Sequence, residues 1–294
     1  MKKHLLAFAL TACAASGAFA QANDTIAKVK ASGTVTMGVR DSSGALSYTL
    51  GDGKYVGYHV EICQRIIDAL DKQIGKKLEV KYQPVTSQNR IPLVANGTVD
   101  IECGSTTNNT ARNKQVAFSI NYFYTGTRLL VKAGSPVRGF ADLKGRKVVS
   151  TTGTTNVLVL RKFNVERDAG FELLGAKDHA EAALLVEQDR ADAFGMDDIL
   201  LFGLRASAPN PAALAVVGEP LQVEPYAIML RKDDPAFKKL VDDTLAKMIK
   251  SGEFTKLYTK WFQSPIPPKG INLELPMSKE LQDNLKALSD KPAI

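Results

Sequence analysis

The chain has 294 residues, a formal net charge of +7, and is 45% hydrophobic and 23% charged. Such a length fits one large domain or two of ordinary size, and the composition fits a globular protein with a full core. After the N-terminus no apolar run approaches the ~20 residues of a membrane span, and lysines and arginines are scattered beside acids, as in Arg231-Lys232-Asp233-Asp234, without interleaved aromatics, which excludes an obvious nucleic-acid surface.

In chain order, Lys2 and Lys3 precede the apolar run Leu5–Ala15, and Ala18-Phe19-Ala20 ends it. A basic start, an apolar stretch and a small-residue site read as a secretory signal over residues 1–20, so the mature chain is expected to start at Gln21. Leu10-Thr11-Ala12-Cys13 resembles a lipoprotein cleavage box, which leaves lipidation at Cys13 as the alternative. The segment removes two of 38 basic residues and none of the 31 acids, leaving 36 against 31, or +5.

Thr34–Val39 reads as a strand. Tyr58–Ile74 carries Cys63, Ile66, Ile67, Leu70 and Ile74 at helical spacing and stops at Gly75. Leu78–Tyr82 is a strand, Ile91–Asn96 a short helix ending at Gly97, and Val99–Cys103 a third strand. The pattern then restarts. Arg128–Lys132 and Lys147–Thr151 are strands, Phe140–Gly145 is a single turn between them, and Thr152-Gly153-Thr154-Thr155 leads into a helix through Phe163. Ala180–Gln188 reads as a helix, Ala191–Met196 as a strand ending in Asp197-Asp198, and Tyr226–Arg231 as another strand. Ala236–Lys250 is an amphipathic helix closed by Gly252. Pro265-Ile266-Pro267-Pro268 interrupts regular structure, and Leu281, Leu285 and Leu288 suggest a last short helix. Strands alternating with helices predict an α/β protein with parallel sheets, here as two sheet systems in succession.

Ligands in open α/β sheets sit beyond the carboxyl ends of strands. Polar clusters fall there: Arg40-Asp41-Ser42-Ser43, Thr86-Ser87-Gln88-Asn89-Arg90, Ser105-Thr106-Thr107 running on to Arg112, Thr152–Thr155, and Asp197-Asp198. Gly-Thr-Thr opening a helix offers backbone N–H groups and hydroxyls to an anion, but no lysine follows to make a phosphate loop. Arginine forks onto carboxylates with paired hydrogen bonds. Arg40, Arg90 and Arg112 could converge on one; any one alone reads better as a surface residue, but three at strand ends among small hydroxyl residues favour a site. Asp197 suits a buried ammonium, and the rival reading makes the Asp-Asp pair a helix cap, with Asp198 as the cap. His179 could donate to a second carboxylate, or cap a helix, while His59 reads as a surface or cap residue. No serine elbow and no H-E-x-x-H occurs, so no catalytic motif is present. Of Cys13, Cys63 and Cys103 only two survive cleavage at Ala20. An exported pair permits one disulfide, with two buried thiols as the alternative, and no spacing suggests zinc.

These residues carry a resemblance. Thr86-Ser87-Gln88-Asn89-Arg90-Ile91-Pro92-Leu93, Glu102-Cys103-Gly104-Ser105-Thr106-Thr107-Asn108-Asn109, Phe140–Gly145, Ala176-Lys177-Asp178-His179, Met196-Asp197-Asp198, Leu230–Pro235 and Pro265–Lys269 resemble the periplasmic glutamate/aspartate-binding receptors of ABC importers, among the amino-acid solute-binding proteins of family 3. The likeness spans roughly Ile26 to Ile271. It implies a type II, two-lobed periplasmic-binding-protein (Venus flytrap) fold. Lobe 1 would take residues 21–126 and 223–275, lobe 2 would be inserted as 127–222, and a tail of 276–294 would follow. The chain would cross near Thr125–Arg128 and Glu219–Glu224. By position, Arg112, Thr107 and Thr155 would hold an α-carboxylate, Asp197 and Ser105 an α-ammonium, and Arg40, Ser87, Arg90 and His179 a side-chain carboxylate. The implied partners are L-glutamate or L-aspartate and an inner-membrane permease, with no cofactor, no nucleic acid and a monomeric periplasmic receptor. A Cys63–Cys103 disulfide is a hypothesis on the same footing. The alternatives are a dehydratase-like enzyme on this scaffold, a receptor for another amino acid, and the sensor lobe of a membrane receptor.

Overall fold

A computed structural model describes residues 24–293. The signal segment, its cleavage at Ala20 and the lipidation alternative at Cys13 lie outside the described residues. Two mixed sheets organise the rest. The first runs in the order Glu79–Pro84, Thr34–Val39, Ile101–Glu102, Met229–Arg231, Val116–Phe118. The second runs Glu172–Ala176, Lys147–Thr151, Ala193–Asp197, Phe123–Lys132, Leu214–Val217. A small antiparallel sheet of Ser42–Ser43, Ser47–Gly51 and Lys54–Val56 leaves the end of the first strand.

The parallel expectation holds for part of each sheet, and in the second it holds for Lys147–Thr151 with Glu172–Ala176 and Ala193–Asp197. Thr34–Val39 pairs in parallel with Glu79–Pro84 and Ile101–Glu102, but Met229–Arg231 enters antiparallel. In the second sheet Phe123–Lys132 runs antiparallel to Ala193–Asp197 and Leu214–Val217. The cause is the connectivity: the chain leaves the first sheet and later returns to it, so the strands that make the passage face against their neighbours. Phe123–Lys132 is longer than expected because it performs two jobs. Its first half pairs with Val223–Tyr226, in the register Val223↔Gly126 to Tyr226↔Phe123, and its second half builds the second sheet. The single strand expected at Tyr226–Arg231 is split at Ala227-Ile228: Val223–Tyr226 belongs to the crossing pair and Met229–Arg231 to the first sheet.

The helix Tyr58–Ile74 buries Tyr58, Ile62, Cys63, Ile66, Ile67 and Leu70 and ends at Gly75, whose φ of 75° is the left-handed cap that glycine takes without a Cβ penalty. It packs on Pro235–Ser251 and on Glu253–Phe262, a helix the sequence reading passed over. Gly252 ends one of these helices and begins the other. The Tyr58 ring is surrounded by Tyr122, Phe123, Phe254, Tyr258 and Phe262, so the crossing begins on a rigid aromatic floor. Cys63 and Cys103 are joined, tying this helix to the end of the Ile101–Glu102 strand. A separate apolar cluster that includes Leu129, Val148, Leu160, Phe171 and Ala193 fills part of the second unit.

Candidate functional site

The polar strand ends meet between the two sheets. Arg40 follows the first strand and is 2% exposed. Its Nη2 donates to Ser87 Oγ at 3.1 Å and lies 3.1 Å from His179 Nε2, and its Nη1 donates to Ser105 Oγ at 3.4 Å. Guanidinium only donates, so His179 accepts on Nε2. Its proton is therefore on Nδ1, which lies 2.8 Å from Thr151 Oγ1. Burial first, then Arg40 and Arg90, push His179 well below its ordinary range and keep it neutral. His179 opens the helix His179–Glu187, and Asp178 performs the capping by accepting from Glu181 N. The cap alternative for His179 is thus taken by its neighbour.

Arg90 is the first residue of the helix Arg90–Ala95 and is likewise buried, donating from Nη1 to Ser105 O at 2.8 Å while its Nε has no partner. Arg112 donates from Nη1 to Thr107 O at 2.8 Å. Burial, then Arg90, lower the pKa of Arg112 to about 10, and burial, then Arg90, do the same for Arg40. Among the described residues none of these three guanidiniums lies in an ion pair; their hydrogen bonds go to serine hydroxyls, the neutral His179 ring and backbone carbonyls.

A second corner gathers acids. Asp197 is buried at the mouth of the helix Asp198–Ser207. Its Oδ1 accepts from Asn156 Nδ2 at 2.9 Å and its Oδ2 from the Tyr226 hydroxyl. Asp197, not Asp198 as expected, occupies the N-cap position, though its side chain makes no cap bond; Asp198 is the first helical residue, and its Oδ1 accepts from Ile199 N and from Thr125 Oγ1. Glu224, on the returning strand, accepts on one oxygen from Thr107 Oγ1 and from Thr155 Oγ1 at 2.6 Å. Thr107 comes from the first unit and Thr155 from the second, and their hydroxyls stand 3.4 Å apart. Burial and the nearby Glu224 push Asp197 up to about 7, against the pull of the Tyr226 and Asn156 hydrogen bonds.

All nine residues singled out in the sequence therefore line this region: Arg40, Ser87, Arg90, Ser105, Thr107, Arg112, Asp197 and His179 buried, Thr155 partly so. Sequence reasoning missed Glu224, Glu102, Asn156 and Tyr226. Glu102 is fully buried, takes Thr106 Oγ1 at 2.8 Å, and leaves its other oxygen unpartnered. The charge count thus changes. Three arginines against one aspartate become three arginines against three buried carboxyls, Asp197, Glu224 and Glu102. His59 is corrected too: it is fully buried, with Nδ1 2.6 Å from Gly104 O and 2.6 Å from Tyr122 Oη, and burial lowers its pKa to about 3.

Close backbone approach explains two glycines here. Gly104 has no room for a Cβ, which would fall 2.1 Å from Glu102 Oε1 and 2.8 Å from Arg40 Cγ. Gly153, at φ +81°, lies against the Ser87 backbone of the opposite unit, where a Cβ would sit 2.8 Å from the carbonyl oxygen. The assembled site intersperses buried guanidiniums, buried carboxyls and hydroxyls, with Glu102 beside Arg40 and Glu224 acting on Arg112. It has the donors and acceptors for a small zwitterion.

The profile of bacterial extracellular solute-binding proteins, family 3, matches residues 35–264. An L-glutamate/L-aspartate-binding protein of Pseudomonas aeruginosa is 48% identical over 272 residues, covering 92% of this chain and 90% of the relative. A glutamate/aspartate import solute-binding protein of Escherichia coli is 47% identical over 294 residues, covering 97% and 96%. Among solved structures, an ancestral arginine-binding protein bound to glutamine superposes with a TM-score of 0.70 at 29% identity, covering 78% of this chain and 98% of its own.

Proposed function

The chain belongs to the bacterial extracellular solute-binding proteins of family 3, and from that premise we propose that it captures L-glutamate or L-aspartate between its lobes and delivers it to an ABC permease in the inner membrane. It binds and breaks no bond, as its import-receptor relatives do. The mature chain works in the periplasm as a monomer. Residues 21–126 with 223–275 form lobe 1, and residues 127–222 form the inserted lobe 2.

In this reading Arg112, Thr107 and Thr155 take the α-carboxylate, Asp197 and Ser105 the α-ammonium, and Arg40, Ser87, Arg90 and His179 the side-chain carboxylate. Glu224 joins the ammonium corner. The observation that carries the reading is the set of three buried guanidiniums bonded only to neutral acceptors. A buried cation is costly without an anion. A ligand with two carboxylates supplies one anion to Arg112 and one to Arg40 and Arg90, whereas glutamine leaves Arg40 and Arg90 as they were. The difference is about 3–5 kcal/mol, more than a hundredfold in affinity.

Calorimetric titration tests this. Glutamate and aspartate should bind, and glutamine and asparagine should bind at least a hundredfold more weakly. Arg112→Ala should abolish binding of all amino acids, and Arg90→Ala should weaken acidic ligands selectively. Comparable affinity for glutamine, or equal losses from the two variants across neutral and acidic ligands, refutes the assignment.

A further inference from the structure

The loop between Thr107 and Arg112 is held from two sides. On one side it pairs with the returning strand: Thr107 bridges Tyr226, and Asn108 N donates to Pro225 O at 2.9 Å. On the other side lies the C-terminal tail. Asn109 bridges Ala293 in parallel, with Ala293 N donating to Asn108 O at 3.0 Å and Thr110 N donating to Ala293 O at 3.1 Å. The tail lies beyond residue 264, where the family match stops.

Three buried asparagines complete the contact. Asn108 Nδ2 donates to Asp290 O at 2.8 Å and to Asn121 Oδ1 at 2.9 Å. Asn121 Nδ2 donates to Lys291 O at 2.9 Å, and Asn121 N donates to Ser289 O at 3.0 Å. Asn284 Nδ2, from the helix Lys279–Ala287, donates to Asn121 O at 2.7 Å and to Ser289 O at 3.1 Å. Asn121 also stands one residue before Tyr122, whose N–H donates to Tyr226 O and so begins the crossing pair. Asp290 is anchored in turn by Lys238 at 2.9 Å.

A run of peptide groups between two proposed ligand residues is thus fixed by backbone bonds to Ala293 and by the Asn108 side chain on Asp290 O. A flexible loop must be ordered when ligand binds, and that cost is taken from affinity; a loop ordered beforehand avoids it. We propose that the C-terminal tail is a positioning element of the ligand site, holding the Thr107–Arg112 loop in its ligand-ready form through Asn108, Asn121 and Asn284. The proposal rests on the assignment of Thr107 and Arg112 to the ligand carboxylate. The tail itself touches no ligand. Its effect is on how long the ligand stays, because a loosened loop lets Arg112 withdraw.

Two variants test it in the full-length mature protein. Deleting residues 290–294 removes the clamp, and Ala293→Pro removes only the N–H that reaches Asn108 O. Glutamate affinity and dissociation rate would be measured with amide hydrogen exchange over residues 108–112. The deletion should weaken glutamate at least tenfold, chiefly through faster dissociation, and speed exchange across the loop. Ala293→Pro should give a smaller change in the same direction, about two- to fivefold. Unchanged dissociation in Ala293→Pro overturns the proposal, whatever the deletion does to folding. Failure of the unaltered protein to bind glutamate would instead overturn the functional reading.

Discussion

Asp197 sits where opposing influences meet. Burial raises its pKa most, Glu224 and Asp198 add to this, and the hydroxyl of Tyr226 with the amide of Asn156 pulls it back, leaving it at about 7. An ammonium placed against it favours the anion. Above pH 7 the carboxylate is already ionised and binding carries no proton cost. Below pH 7 a proton must leave, and affinity falls by up to about tenfold per unit. His179 works in the opposite sense, since burial and two arginines hold it neutral while a ligand carboxylate would favour its charged form. The His179→Gln variant isolates the aspartate. Its dissociation constant for glutamate should rise between pH 7 and pH 5.5 with a slope approaching tenfold per unit, and a flat profile there would contradict the role given to Asp197. The clusters of short hydroxyls and arginines at strand ends were legible as such because they make poor strands and helices, and it was the resemblance that joined them with Asp197 and His179 into nine proposed ligand residues. Glu102 and Glu224 were not legible, because an isolated acid in a sequence looks the same whether it faces water or a core. Only the pairing of the returning strand with Phe123–Lys132 takes Glu224 out of solvent.

At the scale of elements, periodicity decided what could be read. Tyr58–Ile74 shows five apolar positions on one helical face and a glycine stop, and its observed bounds match its expected ones. Ile101–Glu102 and Ser42–Ser43 are two residues long, too short to carry any period. Tyr226–Leu230 is a continuous apolar run, so nothing local marks the break at Ala227-Ile228; the break exists because the chain changes pairing partner there. The Cys63–Cys103 link joins one legible helix to one short strand across a separation of 40 residues. Closing a loop of that size restricts the unfolded chain, which corresponds to about 2–4 kcal/mol of stability. The Cys63→Ser, Cys103→Ser double variant should lose that amount in denaturant unfolding, and reductant should lower the unaltered protein to the same level. Equal stability of the oxidised, reduced and double-variant forms would mean the link constrains nothing.

For the whole molecule, the two-lobed plan was visible only through resemblance, since alternating strands and helices by themselves suggested parallel sheets and gave no sign of a returning chain. The contact between the lobes is written in residues that look unremarkable in isolation. Gly44, in the turn after Ser43, faces Gly203 inside the helix Asp198–Ser207, and a Cβ on Gly203 would lie 2.3 Å from Gly44 Cα and 3.0 Å from Ala45 N. Neither obstacle belongs to the helix that carries Gly203. Within that helix alanine is favoured over glycine by roughly 0.5–1 kcal/mol. Gly203→Ala therefore separates two quantities that usually change together: it leaves each lobe as stable as before, or slightly more so, and penalises only the state in which the lobes touch. A ligand that contacts both lobes can favour that state only by its differential affinity for it, so the penalty is subtracted from binding. Glutamate affinity should fall at least tenfold while the free variant melts no lower than the parent, and in X-ray scattering the glutamate-loaded variant should stay more expanded than the loaded parent. Parental affinity together with parental compaction would show that Gly44 and Gly203 need not meet for capture, and that the lobes close along some other line of contact.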